Sequence, residues 1–186
     1  MFNLGLFVMA TSAPPIDLSD RMLVTLAAYG LFMINWSLLE TVLEVAIAKR
    51  VDLHPLEGTI ITCGLNFQSR ASILRSFLAL DQTQDSKDAI ALINTITQEA
   101  SRNAIIHGQV FVHGETLMFV HRRTDQSLIA KTVSLDSDAM SEKGTRLKES
   151  IIRLQSLLSV SEEDLHEFGN ISLILANRST TSPKPR

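Results

Sequence analysis

The stretch Arg102-Asn103-Ala104-Ile105-Ile106-His107-Gly108 decides how the rest of the chain is interpreted. It closes a segment of helical spacing that begins near Ser86, which offers an N-cap oxygen together with Asp85. Gly108 follows His107 directly and is a natural stop, because glycine takes the left-handed conformation after a helix without penalty. The pattern therefore predicts one mostly apolar helix with an arginine, an asparagine and a histidine in its last two turns.

The spacing within this helix end favours a site over simple capping. Asn103 and His107 are four residues apart and share a helix face, so the amide can orient the imidazole. Arg102 and His107 are five apart, about 140° around a helix, so one straight helix does not aim both at the same group. They converge if the last turn unwinds, if the arginine wraps around, or if two copies meet across a two-fold axis. The alternative interpretation is a plain helix terminus, where cations complement the last carbonyl groups.

The order of arginine, a polar residue, three variable residues and histidine resembles the signature of the HEPN superfamily of small helical proteins. Many of its members are metal-independent endoribonucleases, often toxins or antiviral effectors, and they commonly build a composite site at a dimer interface. The resemblance implies that His107 is the acid/base, that Arg102 binds phosphate and stabilises the transition state, and that Asn103 orients His107 or contacts substrate. It also implies products with a 2′,3′-cyclic phosphate and a 5′-hydroxyl, and no metal or cofactor.

Two other functions stay open beside the ribonuclease. One is a non-catalytic HEPN-like module that binds RNA or a nucleotide and acts with a protein partner. The other is a helical interaction protein unrelated to HEPN, in which the arginine and histidine contribute only to stability. The partners implied by the resemblance are RNA, a second copy of the chain, and an antitoxin or a nucleotidyltransferase.

A long helix is predicted over about 20–49, and its two apolar stripes are typical of a central bundle helix. Glu40 lies within the second stripe, and an unpaired buried carboxylate is costly. We expect Glu40 either to reach solvent along the helix flank or to pair with Arg102 or His107. HEPN nucleases often carry such an acid on an earlier helix, and Glu44 is the substitute candidate. The first stripe consists of Leu23, Leu26, Ala27, Gly30, Ile34, Leu38, Thr41, Val45 and Ala48.

The next segments predict a connection and a broken helix. The stretch 51–58 contains His54-Pro55 and Gly58 and is typical of a loop. A second helix is predicted over about 59–79 with a break at 64–66, after which Asn66 caps the second part. Phe67, Ile73, Leu74, Phe77 and Leu78 are expected to face inward, and Arg70 and Arg75 are interpreted as solvated surface charges.

After Gly108 the apolar period changes from 3.6 to 2. The runs 109–113, 116–123 and 127–133 predict a small antiparallel hairpin or meander. Arg122, Arg123 and Lys131 belong to this basic hairpin and are candidates for RNA-phosphate contacts beside His107. The alternative is a solvent-facing sheet whose edge charges oppose aggregation. Two more helices are predicted, one capped by Asp136 or Ser137 and one that starts after Ser161 and ends near position 176.

Composition bounds the class of protein. The 186 residues favour one domain, and a net charge of −3 with a pI near 5.9 argues against broad nucleic-acid coating, so any RNA contact is local. Cys63 is the single cysteine; it excludes an intrachain disulfide, fits a reducing, cytoplasmic compartment, and is expected to be a buried structural thiol. The apolar run 22–34 is too short to span a bilayer, so no membrane contact is expected.

These observations predict a mainly α fold. The expected architecture is a HEPN-like up-and-down bundle of four to five helices with a small antiparallel β-hairpin or meander after the motif helix. Residues 1–18 form an N-terminal tail, 19–177 the helical domain with a β insertion at about 109–133, and 178–186 a disordered tail.

Overall fold

The computed structural model describes residues 19–98, 102–125 and 127–181. Within these ranges the protein is mainly helical, with seven helices and one three-stranded antiparallel sheet, which confirms the predicted fold class at that level. The elements in chain order are α1 (Asp20–Arg50), α2 (Pro55–Thr62), α3 (Phe67–Asp81), α4 (Gln84–Gln98), α5 (Arg102–His107), β1 (Gln109–His113), β2 (Thr116–Asp125), β3 (Ser127–Leu135), α6 (Ser137–Leu158) and α7 (Glu162–Thr181).

Helix α1 is central, because it packs against α2, α3, α6, α7 and β2. Ser19 caps it as predicted, since its hydroxyl accepts the Met22 N–H at 3.2 Å. Its second half is buried on almost every side, whereas its first half buries a single face. The buried residues of α1 are Met22, Thr25, Ala28, Phe32, Trp36, Leu39, Val42, Leu43, Val45, Ala46, Ile47 and Ala48.

The first predicted stripe of α1 is wrong in this N-terminal half. Leu23 and Ile34 are 51% and 65% exposed. The helix instead buries a face that contains Trp36 and also Phe32, which neither predicted stripe includes, because large aromatic side chains remove more apolar area from water than Ala27 and its neighbours do. An apolar helix face is thereby left on the surface.

The uncharged run of α1 extends beyond Ile34 to Leu39, so its length does not exclude a membrane span. By length and composition α1 could cross a membrane: its most apolar window has a mean hydropathy of 1.7 and is 33% buried inside the chain. The core helix of a soluble protein meets the same criteria.

Helix α2 begins at Pro55, which corrects the predicted loop over 51–58. His54 is the N-cap: its Nδ1 accepts the Leu56 N–H at 3.3 Å, and its own N–H donates to Glu57 at 3.2 Å. Proline at the first helical position and an acid at the third are helix-start signals that outweigh the turn signal of His-Pro. Cys63 follows α2 and is exposed rather than buried.

Gly58 is the point of closest approach between α2 and its neighbours. A Cβ atom at Gly58 would lie 2.7 Å from the Ala48 Cβ atom and 3.0 Å from Cζ of Phe168 in α7. We expect Gly58→Ala to lower the free energy of unfolding by about 1–2 kcal/mol, because the overpacking exceeds the gain in helix propensity. Urea denaturation measures the change, and Gly64→Ala, where a Cβ would meet nothing within 4 Å, should be nearly neutral. A Gly58→Ala chain as stable as the wild type would contradict the packing.

The sheet has the order β1-β2-β3 and the predicted strand positions. Leu117 and Phe119 of β2 are fully buried, and the Phe119 ring lies 5.4 Å from that of Tyr29 in α1. The β1–β2 turn is attached to the start of α1, because the Thr25 hydroxyl donates to the carbonyl of Glu115 at 3.2 Å. The sheet is thus fixed against the face of α1 that the aromatic residues occupy.

The structure describes the helix predicted from Ser86 onward as α4 and α5; residues 99–101 between them lie outside the described ranges, so the continuity of this helix stays a prediction. Helix α4 begins earlier than predicted, because the Thr83 hydroxyl accepts the Ser86 N–H at 3.1 Å. Helix α6 begins at Ser137 with Asp136 as its cap, as predicted. Helix α7 continues to Thr181, beyond the predicted end near position 176.

Candidate active site

One cleft of about 660 Å³ lies where α1, the start of α3 and α5 meet. It contains two of the residues that the sequence singled out, Glu40 on α1 and His107 at the end of α5. These residues are distant in sequence, and the fold brings both of them to one opening. The cleft is lined by Glu40, Leu65, Asn66, Phe67, Gln68, Arg70 and His107.

His107 is held at the cleft by a short helix that is fixed on one side. Ile105 is 1% exposed and belongs to the hydrophobic core, and α5 packs against β2 and β3. His107 itself is exposed. The buried isoleucine fixes α5, whereas the imidazole keeps access to solvent and to a ligand.

Arg102 and Asn103 are the first two residues of α5. Their side chains lie outside the described part of the chain, so the convergence of Arg102 with His107 stays a prediction. At the level of the backbone, both residues belong to the same short helix as His107.

Arg70 is 8% exposed and forms part of the wall of the cleft. Its Nη2 lies 2.7 Å from Oε1 of Glu44 and donates to the carbonyl of Thr62 at 3.2 Å. Its Nη1 lies 3.7 Å from Oε2 of Glu40. The interpretation of Arg70 as a solvated surface charge is therefore wrong, and Glu40 finds a cation in Arg70.

A sequence signal for this arrangement exists. Phe67, Ala71 and Leu74 are buried on α3, and position 70 falls on the same helix face. The predicted inward-facing set included the half-buried Ile73 and not the buried Ala71. Glu40 and Glu44 are four residues apart on α1. Because buried carboxylates are costly without a partner, this pair predicts a cation on a neighbouring helix.

The electrostatics of the cleft wall are unbalanced, since two carboxylates share one guanidinium. Burial raises the pKa of Glu44 above its usual range, the charge of Arg70 opposes the rise, and the charge of Glu40 adds to it. Nε of Arg70 is buried and has no hydrogen-bond partner among the described residues. The guanidinium is thus committed to the two glutamates and the Thr62 carbonyl.

The candidate phosphate-binding residues of the sheet do not form one cluster. His121 lies opposite Lys131 in the β2–β3 register, and Arg122 lies opposite Ala130. Adjacent residues of a strand point to opposite faces, so Arg122 belongs to the face opposite that of Phe119, and His121 and Lys131 to the same face as Phe119. The side chains of Arg122 and Lys131 are exposed, whereas that of Arg123 lies outside the described residues.

Among the residues that the structure describes, no group of three or more His, Cys, Asp or Glu side chains is arranged to hold a metal ion. The chain has no match among protein-family models, curated proteins or solved structures.

Proposed function

We propose that the chain is a metal-independent endoribonuclease in which His107 transfers protons at the cleft between α1, α3 and α5. The observation that carries this proposal is the shared cleft: Glu40 and His107 line one opening of about 660 Å³. An accessible histidine and a carboxylate in one cleft are sufficient groups for general acid–base catalysis.

RNA supplies its own nucleophile in this reaction. A base removes the proton of the 2′-hydroxyl, the 2′-oxygen forms a bond to phosphorus, and the bond from phosphorus to the 5′-oxygen breaks. An acid donates a proton to the departing 5′-oxygen, which leaves a 2′,3′-cyclic phosphate and a 5′-hydroxyl. Histidine exchanges protons near neutral pH, so His107 can serve in either proton transfer.

The other residues of the proposal orient His107 and neutralise charge. Glu40, on the wall of the same cleft, is the carboxylate proposed to orient the imidazole, and Arg70 fixes the position of Glu40. Arg102 binds the phosphate oxygens and stabilises the charge that develops in the transition state. Because the net charge is −3, RNA binds through such local contacts and not through a broad basic surface.

The proposal predicts that the full-length chain cleaves RNA in the presence of EDTA. Mass spectrometry of the fragments should find cyclic phosphate ends, and a 2′-deoxy substitution at the cleaved position should abolish the cut, because the nucleophile is then missing. The His107→Ala chain, purified in the same way, controls for contaminating nuclease. RNA binding without cleavage would overturn the proposal in favour of the non-catalytic binding module.

A further inference from the structure

The first half of α1 presents an apolar face that no other described residue covers. Its large side chains are between 37% and 65% exposed, and Ala27 and Gly30 lie among them. No charged residue occurs between Arg21 and Glu40, so the face is uncharged over a length of about 27 Å. Exposed apolar patches of this kind mark interaction surfaces. The large side chains are Leu23, Val24, Leu31, Ile34 and Leu38.

We infer that this face binds the same face of a second copy of the chain, with the two α1 helices antiparallel across a two-fold axis. A two-fold interface must be self-complementary, since each residue that contacts another is contacted by it in return. An axis between Gly30 and Leu31 places Ala27 opposite the partner's Ile34, and Gly30 opposite the partner's Leu31. Each small residue then faces a large one, and Leu23 meets the partner's Leu38 at both ends.

A groove beside this face gives the partner's side chains room to enter. It has a volume of about 290 Å³ and lies between α1 and α6, with Leu31 and Asn35 on one wall and Gly144 on the other. The Asn35 amide donates to the carbonyl of Gly144 at 3.3 Å, which holds the two walls together. A Cβ atom at Gly144 would meet nothing within 4 Å, so the groove is open at this point.

The buried area favours a second copy as the occupant. Burial of roughly 80 Å² from each of five half-exposed side chains on both copies removes on the order of 800 Å² of apolar surface. The small residues and the groove bring the total towards the roughly 1,200 Å² at which stable interfaces begin. The α1 face itself is uncharged, as the centres of dimer interfaces commonly are, and the polar residues Ser141, Thr145 and Lys148 line the α6 side of the groove.

This interface is independent of the proposed ribonuclease activity. Glu40 follows Ile34 by six residues and lies about 120° from it around α1, so the cleft is on another side of the helix. Dimerisation and cleavage can therefore fail separately.

Sedimentation velocity of the full-length chain at micromolar concentration tests the inference. The wild type should be a dimer, and Ile34→Asp should weaken dimerisation by more than about tenfold, because it buries a carboxylate at the centre of the interface. Ile60→Asp is the matched control, since Ile60 on α2 is 64% exposed against 65% for Ile34. A monomeric wild type, or an Ile34→Asp chain that stays fully dimeric, would overturn the inference.

Disulfide cross-linking tests the register. In a Cys63→Ser background, a mixture of Ala27→Cys chains and Ile34→Cys chains should form a cross-linked dimer on oxidation, and neither variant should do so alone. A dimer without this mixed cross-link would overturn the antiparallel pairing. The inference is also overturned if only a chain lacking residues 1–18 dimerises, because those residues then cover α1 in the full-length chain. It is likewise overturned if the wild type is monomeric and binds phosphatidylcholine vesicles through Ile34.

Discussion

Replacement of Arg70 by methionine is expected to lower the free energy of unfolding by about 3 kcal/mol, because it leaves two carboxylates without their cation at a largely buried position. Glu44 lies 2.7 Å from the guanidinium and Glu40 3.7 Å from it. Methionine preserves most of the side-chain volume, so the loss reports on charge and not on a cavity. Urea denaturation of the wild type and the variant at neutral pH measures the effect.

The loss of unfolding free energy in Arg70→Met should be larger at higher pH. Burial already raises the pKa of Glu44 above its ordinary value of 4.5, and removal of the opposing Arg70 charge raises it further. Between 4.5 and the higher folded-state pKa, the folded protein binds more protons than the unfolded chain, so stability falls as the pH rises. Arg70→Met should therefore cost less stability at about pH 5 than at about pH 7.

Two controls isolate this charge effect. Arg75→Met removes a half-buried arginine whose Nη1 donates to Oδ1 of Asn94, and it should have a much smaller effect. Adding Glu44→Gln to Arg70→Met should restore part of the stability and remove most of the pH dependence, because the carboxylate with the raised pKa is gone. An Arg70→Met chain as stable as the Arg75→Met chain would show that the pairing contributes little.

His107→Ala is expected to lower the rate of RNA cleavage by about 10²–10⁴-fold, because it removes the proton-transfer group. The same change should hardly alter the free energy of unfolding, because the imidazole is exposed at the mouth of the cleft. Single-turnover cleavage in EDTA gives the rate, and circular dichroism with urea denaturation verifies the fold.

His113→Ala is the matched control, because His113 is an exposed histidine at the end of β1. It should cleave at the wild-type rate. If His107→Ala and His113→Ala cleave equally fast, His107 has no part in the chemistry. If His107→Ala loses stability and not activity, the residue is a helix terminus and nothing more.

The elements that the sequence predicted well are those that local chemistry specifies. The period of two and the turn residues located the strands, and Asp136 and Ser161 marked the starts of α6 and α7. Asn66 likewise caps α3, because its side chain accepts the Ser69 N–H at 2.9 Å. Such signals depend on neighbours along the chain and need no knowledge of the tertiary structure.

The features that the sequence did not reveal depend on contacts between distant segments. The sequence predicted two apolar stripes on α1, and the packing of Phe32 and Trp36 leaves the first stripe exposed in the N-terminal half of the helix. The helical spacing of α3 places Arg70 on the buried face, but its pairing with the two glutamates of α1 depends on the packing of two distant helices. For the site, the sequence suggested Glu40 and His107 as neighbours, and the cleft shows that both line one opening.

The attachment of the β1–β2 turn to α1 connects the two sides of the cleft through the hairpin. From this attachment, α1 runs from Thr25 to Glu40. In the other direction, β1 leads from the turn at Glu115 back to His107, with Gly108 as the only residue between β1 and α5. The Glu40 carboxylate is therefore carried by α1 and the His107 imidazole follows from β1, so the length of the hairpin helps to set the distance between them. A change in the length of the hairpin is expected to shift the imidazole relative to the carboxylate without changing any residue that lines the cleft.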